Sequence, residues 1–146
     1  KTAKELSKLH LAGLSRLQYP PNARLIRVMC SGRVSSEFIL HAFKKGAPVV
    51  YVTGCHFADC HYINANRWCV KRIDSLWDKL EKLGIRPERL QLEWCSAAEA
   101  SRWQEIMTVA EQMREQVTKE EIEETIRILT EEEEKQKKKK SAKAKK

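Results

Sequence analysis

The chain has 146 residues, enough for one domain and an extension, and its 42% apolar and 33% charged residues are typical of a soluble globular protein. No apolar run approaches the roughly 20 residues that a membrane helix needs, and the first residues carry no signal-peptide pattern, so we expect a cytoplasmic protein without membrane contact. Half of the net charge of +8 lies in residues 131–146, and the mild excess elsewhere excludes a nucleic-acid-binding stripe, so no nucleic-acid partner is expected.

The first half of the chain is predicted to contain two helices and two strands. Leucines near one face predict a helix over Ala3–Leu17, which ends at the prolines that follow. The apolar segment Arg24–Met29 is a candidate strand. A serine cap predicts a short helix over Glu37–Lys45, and the run Pro48–Thr53 predicts a strand that is buried on both faces of a parallel sheet.

The second half is predicted to contain one strand and three helices. An apolar stripe predicts a long helix over Ala65–Leu83, and alternating apolar residues predict a strand over Arg89–Trp94. Capping boxes at Ser96–Glu99 and Thr118–Glu121 predict the starts of a further helix and of a last short one. The Lys-rich end is predicted to be solvated or disordered.

Strands that alternate with helices predict an α/β fold with a small parallel sheet, helices on both faces, and a C-terminal helix with a Lys-rich tail. We expect a domain over 1–117 and an extension over 118–146. Ligands of such sheets bind beyond the carboxyl ends of the strands. Because Cys30, Cys55 and Cys95 each follow a predicted strand, we expect all three at the same edge.

The cysteines are the residues that point to chemistry. Five is an odd number in a chain expected to be cytoplasmic, so the thiols should be reduced, metal-bound or buried. Cys55 and Cys60 are separated by four residues, a spacing found in iron–sulfur ferredoxins, and a glycine precedes Cys55. Cys30 supplies a third thiol, and Cys69 lies on the apolar stripe of its helix and is expected to pack in the core.

The sequence resembles the delta subunit of methyl-viologen-reducing hydrogenase over about residues 12–117. The matching runs are Ser15–Asn22 (SRLQYPPN), Arg27–Val34 (RVMCSGRV), Val52–His56 (VTGCH), Asp59–Tyr62 (DCHY), Gly84–Leu90 (GIRPERL), Leu92–Trp94 (LEW) and Ser96–Glu99 (SAAE). These runs include three of the cysteines already singled out. The Lys-rich tail lies outside the resemblance.

The resemblance implies a non-catalytic iron–sulfur electron-transfer domain over 1–117. In that family the subunit holds a [2Fe–2S] cluster, and the match implies that Cys30, Cys55 and Cys60 bind it. The implied partners are a hydrogenase or formate dehydrogenase, as electron donor, and the flavoprotein subunit of a heterodisulfide reductase-like complex, where flavin-based electron bifurcation occurs. The edge that carries the three thiols is expected to face that partner.

The chain departs from the family pattern near its start. The family usually has a Cys-x-x-Cys element there, whereas Lys4–His10 contains no cysteine. The fourth ligand therefore stays open among Cys95, a histidine (His10, His56 or His61) and a cysteine upstream of Lys1. Two other functions also stay open, a zinc-binding structural module and an adaptor subunit without a cluster.

Overall fold

The computed structural model describes residues 15–96 and 98–144 and confirms the α/β class. The described elements are a two-stranded sheet and four helices. In chain order they are α1 (Ser36–Lys44), β1 (Val50–Gly54), α2 (Ala65–Lys82), β2 (Leu90–Trp94), α3 (Ala100–Gln116) and α4 (Lys119–Ala144), with short 3-10 turns at Ser31–Arg33, Phe57–Asp59 and Pro87–Arg89. Within these described residues, none of the helices combines the length and the apolar character that a membrane crossing requires.

The two strands pair in parallel, from Val50 opposite Leu90 to Gly54 opposite Trp94. They are connected through α2, because parallel neighbours need a long crossover between them. The pairing continues one residue further, since the backbone N–H of Cys95 donates to the carbonyl oxygen of Gly54 at 2.9 Å. The carboxyl ends of the strands therefore lie side by side, and each is followed at once by a cysteine.

The apolar stripe of α2 packs in the main core together with the sheet and α1. This core contains Ile39, Phe43, Val52, Cys69, Ile73, Leu76, Leu80, Ile85, Leu90 and Leu129. The burial of Cys69 confirms that this thiol packs as a core residue. A second cluster around the start of α3 contains Cys95, Ala100, Trp103, Ile106 and Met107.

Two predictions for the N-terminal part have different outcomes. The helix predicted over Ala3–Leu17 lies outside the described residues, except for 15–17, which begin with a turn. The helix predicted over Glu37–Lys45 is confirmed as α1. The predicted serine cap is Ser35, whose Oγ accepts a hydrogen bond from the Phe38 N–H at 3.4 Å. The helix is followed by Gly46, whose φ of 86° suits a residue without a side chain.

The strand predicted over Arg24–Met29 is wrong. This segment has no regular structure, and the described sheet contains only β1 and β2. Leu25 and Ile26 are neighbours in sequence, yet both are exposed, Ile26 to 83%. A strand buries alternate residues on one face, and this segment buries neither of the two. The apolar composition predicted a strand for which the fold provides no neighbour.

The last helix is longer than predicted. The short helix and disordered tail are corrected to one helix, α4, which continues through the Lys-rich run to Ala144. Glu and Lys are good helix formers, and pairs four residues apart stabilise a helix. Glu133 makes such a pair with Lys137 at 2.8 Å and also contacts Lys44 of α1. These lysines hold the pKa of Glu133 down at about 2.

The first turns of α4 are attached to the sheet by a buried arginine. Arg89 Nε donates to the carbonyl oxygen of Pro48 at 2.7 Å, and its Nη1 donates to Thr125 Oγ1 at 2.6 Å. The guanidinium lies 5.3 Å from the centre of the Phe43 ring, and Glu121 lies 3.5 Å from it and balances its charge. The first part of α4 therefore belongs to the core. The division into a domain over 1–117 and an extension over 118–146 stays a prediction.

We expect Leu129→Ala to lower the free energy of unfolding by about 2–5 kcal/mol, because it leaves a cavity in the main core. Deletion of 131–146 should cost less than Leu129→Ala, since the ion pairs described there are partly or largely exposed, and such pairs contribute little to stability. Urea titration of both variants measures the difference. A truncated chain less stable than Leu129→Ala would show that the end of α4 carries the fold.

Candidate metal centre

Three of the five cysteines lie in loops beside the carboxyl edge of the sheet. Cys55 follows β1 directly, Cys60 follows the short turn after it, and Cys30 precedes the first turn of the described chain. All three are half-buried, whereas Cys69 and Cys95 are buried. Three thiols are therefore accessible to a bound group, and two are not.

The thiols of Cys55 and Cys60 lie close enough that each affects the pKa of the other. Burial raises the pKa of Cys55, and the charge and hydrogen bond of Cys60 raise it further. The charge of Cys30 adds a smaller increase. The structure thus places the thiols of Cys55 and Cys60 near each other, and the thiol of Cys30, from a separate loop, lies within electrostatic range of Cys55.

The sulfur of Cys60 lies at the start of α2, where backbone N–H groups point outward. Burial acts to raise its pKa, but N–H groups of Asn66, Tyr62 and Ala65 donate to the sulfur, and the net effect is a lowered pKa. Donors of this kind stabilise the thiolate relative to the thiol. At a given pH, Cys60 therefore has a larger fraction of thiolate than an ordinary cysteine, and the thiolate is the form that binds metal ions.

The Cys30 loop is held against α2. Arg72 donates from Nε to the carbonyl oxygen of Val34 at 3.1 Å and from Nη2 to that of Gly32. A Cβ at Gly32 would lie 2.8 Å from the Cβ of Ala65, so only glycine allows the loop to approach this closely. No local sequence pattern predicts the Arg72 contact, because arginine is common at surface positions of helices.

Gly54 brings the two cysteine loops together. A Cβ at this position would lie 2.7 Å from Ser31 Oγ and 2.7 Å from the Trp94 ring. Ser31 follows Cys30, and Gly54 precedes Cys55, so this contact joins the backbones that carry the two thiols. The Ser31 hydroxyl is buried with 3% exposure and has no hydrogen-bond partner among the described residues.

A buried asparagine orders the loop between β1 and α2. Asn66 Nδ2 donates to the carbonyl oxygen of His56 at 3.1 Å and to that of Cys55 at 3.4 Å. Its side-chain oxygen accepts from the Arg67 N–H at 2.9 Å. The sequence analysis did not predict this role of Asn66. The feature that could have indicated it is a side-chain amide in the first turn of the helix that follows the Cys55 and Cys60 loop.

Cys95 has a different environment from the other three candidates. It follows β2 as predicted, but its sulfur is buried in the second cluster, 3.5 Å from the Ser96 carbonyl oxygen and 3.6 Å from that of Glu99. The capping box predicted here is formed in part, because Glu99 Oε2 accepts from the Ser96 N–H. Cys95 would have to leave these contacts to bind a metal ion.

The histidines that are candidates for the fourth ligand position have different surroundings from one another. His56 Nε2 lies 2.7 Å from Glu99 Oε2. The pKa of Glu99 is lowered by the Ser96 N–H and then by His56. His61 is exposed and packs edge-on against the ring of Tyr62, and the third candidate, His10, lies outside the described residues.

A comparison with protein families gives one match over most of the chain. Residues 3–120 match the family described as methyl-viologen-reducing hydrogenase, delta subunit. The chain belongs to this family. The resemblance read from the short motifs is therefore confirmed, and the match includes all five cysteines.

Individual relatives in this delta-subunit family agree. The chain is 52% identical over 93 residues to the vhc iron-sulfur subunit of the F420-non-reducing hydrogenase of Methanococcus voltae, and the match covers 64% of this chain and 65% of that protein. It is 47% identical over 98 residues to the iron-sulfur subunit of the F420-non-reducing hydrogenase of Archaeoglobus profundus, covering 67% and 72%. The match thus leaves about a third of the first relative and just over a quarter of the second uncovered.

A third relative is much longer. The chain is 46% identical over 98 residues to a subunit of the ferredoxin:CoB-CoM heterodisulfide reductase of Methanosarcina mazei. The aligned stretch covers 67% of this chain but only 12% of that reductase polypeptide. A segment similar to this delta-subunit chain therefore occurs inside a larger polypeptide.

The described residues of this delta-subunit family member fit an iron–sulfur group in their chemistry. Thiolates are the ligands that such clusters prefer, and three accessible thiols lie on neighbouring loops. Gly32 and Gly54 keep side chains out of the space between the loops, and the Ser31 hydroxyl is without a partner there. Across residues 15–96 and 98–144, no group of three or more His, Cys, Asp or Glu side chains is arranged around a single metal ion.

In the metal-free protein, we expect Cys60 to be alkylated first by iodoacetamide at near-neutral pH. Its pKa is lowered and that of Cys55 is raised, so Cys60 has the larger thiolate fraction. Cys69 and Cys95 should react last because they are buried. Time-resolved peptide mass spectrometry measures the order, and faster labelling of Cys55 than of Cys60 would contradict it.

Proposed function

We propose that this chain is the electron-transfer subunit of a multisubunit oxidoreductase and carries a [2Fe–2S] cluster bound by Cys30, Cys55 and Cys60. The observation that carries the proposal is the juxtaposition of these thiols in a family whose named relatives are iron–sulfur subunits. A cytoplasmic location, expected from the sequence, is part of this proposal.

When bound, such a cluster accepts and releases single electrons. The chain's own residues supply the thiolates and fix their positions. Backbone N–H groups at the start of α2 favour the thiolate of Cys60, and Arg72 holds the Cys30 loop against the same helix. Asn66 orders the backbone that follows Cys55. The ligand loops are therefore supported by contacts that do not depend on a metal ion.

The fourth ligand position is part of the proposal and is not assigned to one residue. Cys95 is the less favoured candidate, because it would have to leave a packed cluster and two carbonyl partners. His61 is exposed beside Cys60, and His56 follows Cys55 but contacts Glu99. Residues 1–14, which include His10, and any upstream cysteine complete the set of candidates.

The proposed partners are a hydrogenase or formate dehydrogenase, as electron donor, and a heterodisulfide reductase-like flavoprotein subunit, as acceptor in flavin-based bifurcation. The Methanosarcina mazei relative supports the second partner, because there a segment similar to this chain is part of the reductase polypeptide itself. Units that are joined in one protein are expected to lie near each other when they are separate. The hydrogenase names of the other relatives support the donor.

The loop between β1 and α2 and the first turn of α2 also expose apolar side chains. Phe57, Tyr62, Ile63 and Trp68 are all exposed, and Ile63 is exposed to 86%. Ile63 also has a φ of 62°, which is costly for a β-branched residue. Exposed aromatic and apolar groups around one site favour a protein interface there. We propose that this edge docks on the partner, as expected from the sequence.

We expect Cys55→Ser and Cys60→Ser to remove iron and acid-labile sulfide from the purified protein. Both thiolates belong to the proposed ligand set, and serine is a poor ligand for such clusters. Cys69→Ala is the matched control, because it removes a buried thiol in the core and should retain the cluster. Metal analysis and the visible absorption spectrum measure the outcome.

Full cluster occupancy in both serine variants would contradict the ligand assignment. A colourless wild-type protein that contains zinc would support the structural zinc module instead. A purified complex in which this chain contains no metal would support the adaptor function. Metal analysis of the wild-type complex therefore separates the three functions.

For the docking edge, we expect Ile63→Asn to weaken binding to the flavoprotein partner at least about tenfold, as the loss of one buried apolar side chain requires. Asparagine tolerates positive φ, so the variant should fold at least as well as the wild type. Val109→Asn, at a 47% exposed position on α3, is the matched control and should bind normally. Titration calorimetry compares them, and equal affinities would place the interface elsewhere.

A further inference from the structure

The Ser31 hydroxyl is buried without a hydrogen-bond partner among the described residues, which is uncommon for a native protein. A buried hydroxyl that donates to nothing destabilises the fold, because it has lost its hydrogen bonds with water. The backbone carbonyl oxygen of Ser31 has a partner, since it accepts from the Val34 N–H at 3.0 Å. The side-chain oxygen has none among the described residues.

The hydroxyl lies beside the two backbone segments that carry Cys30 and Cys55. Ser31 follows Cys30, and its Oγ lies against Gly54, where an added Cβ would approach it to 2.7 Å. The residue after Gly54 is Cys55. The hydroxyl therefore lies between the two backbone segments that carry two of the proposed ligands. It occupies the space that a side chain at position 54 would need.

We propose that the Ser31 hydroxyl donates a hydrogen bond to a sulfur atom of the iron–sulfur group, either an inorganic sulfide or a ligand thiolate. This inference rests on the proposed function and goes beyond it, because it assigns a positioning and tuning role to a residue that is not a ligand. Hydrogen bonds to cluster sulfurs are among the features that set the reduction potential.

The direction of the effect follows from charge. Reduction adds an electron and increases the negative charge on the sulfurs, so a donated O–H bond stabilises the reduced state more than the oxidised one. Ser31 is thus expected to raise the reduction potential. Removing the hydroxyl should shift the midpoint potential to a more negative value.

The test compares Ser31→Ala with the matched control Ser35→Ala in the full chain. Ser35 is four residues away, and its hydroxyl has a protein partner, the Phe38 N–H at the start of α1. In the metal-free protein, Ser31→Ala should melt at the same temperature as the wild type or higher, whereas Ser35→Ala should melt lower. In the cluster-loaded protein, only Ser31→Ala should lower the midpoint potential, measured by redox titration followed by EPR.

Other outcomes overturn the inference. An unchanged potential in fully loaded Ser31→Ala, or a lower melting temperature in its metal-free form, would show that the hydroxyl serves a protein or water contact. Should Ser31→Ala take up no cluster, the wild type decides: exchange into D2O must shift its Fe–S stretching frequencies, and unshifted frequencies refute the bond. A wild-type protein that binds no iron or sulfide would refute the proposed function as well, so the two failures are distinguishable.

Discussion

The absence of a side chain at Gly54 allows three parts of the chain to meet at the carboxyl edge of the sheet. A Cβ there would lie 2.7 Å from both Ser31 Oγ and the Trp94 ring, closer than real Cβ atoms approach other atoms. The loop after Cys30 can therefore close on the strand that leads into Cys55. With a larger residue at this position, Ser31 or Trp94 would have to shift. The absence of a side chain at Gly54 thus keeps the loop after Cys30 close to the strand that leads into Cys55.

Local patterns were sufficient to predict most of the regular structure. The β-branched run before Cys55 and the alternating residues before Cys95 are the two observed strands, and the apolar stripe that contains Cys69 is α2. The rule that parallel strands end at one edge placed Cys55 and Cys95 together, and the register of Gly54 opposite Trp94 confirms it. The rule does not say which way each side chain turns. Cys95 turns into a packed cluster, a result that depends on α3 rather than on the strand.

Most of the failed predictions have their physical origin in contacts between residues that are distant in sequence. The segment Arg24–Met29 has the apolar composition of a strand, but a strand exists only where a neighbour accepts its hydrogen bonds. Arg72 and Asn66 support the thiol loops through carbonyl groups that no spacing rule connects to them. The length of α4 has another cause, because the helical spacing of Glu133 and Lys137 outweighs the high charge of the segment.

The burial of Arg89 has a consequence for how the molecule opens. Its guanidinium shares hydrogen bonds and charge with Thr125 and Glu121, both in the first turns of α4. Unwinding the helix from that end would leave a positive charge inside an apolar cluster without its partners, which is far more costly than breaking exposed ion pairs near Lys137. Thermal fraying of this helix is therefore directional. It starts from the lysine end and stops at Leu129, where the core begins.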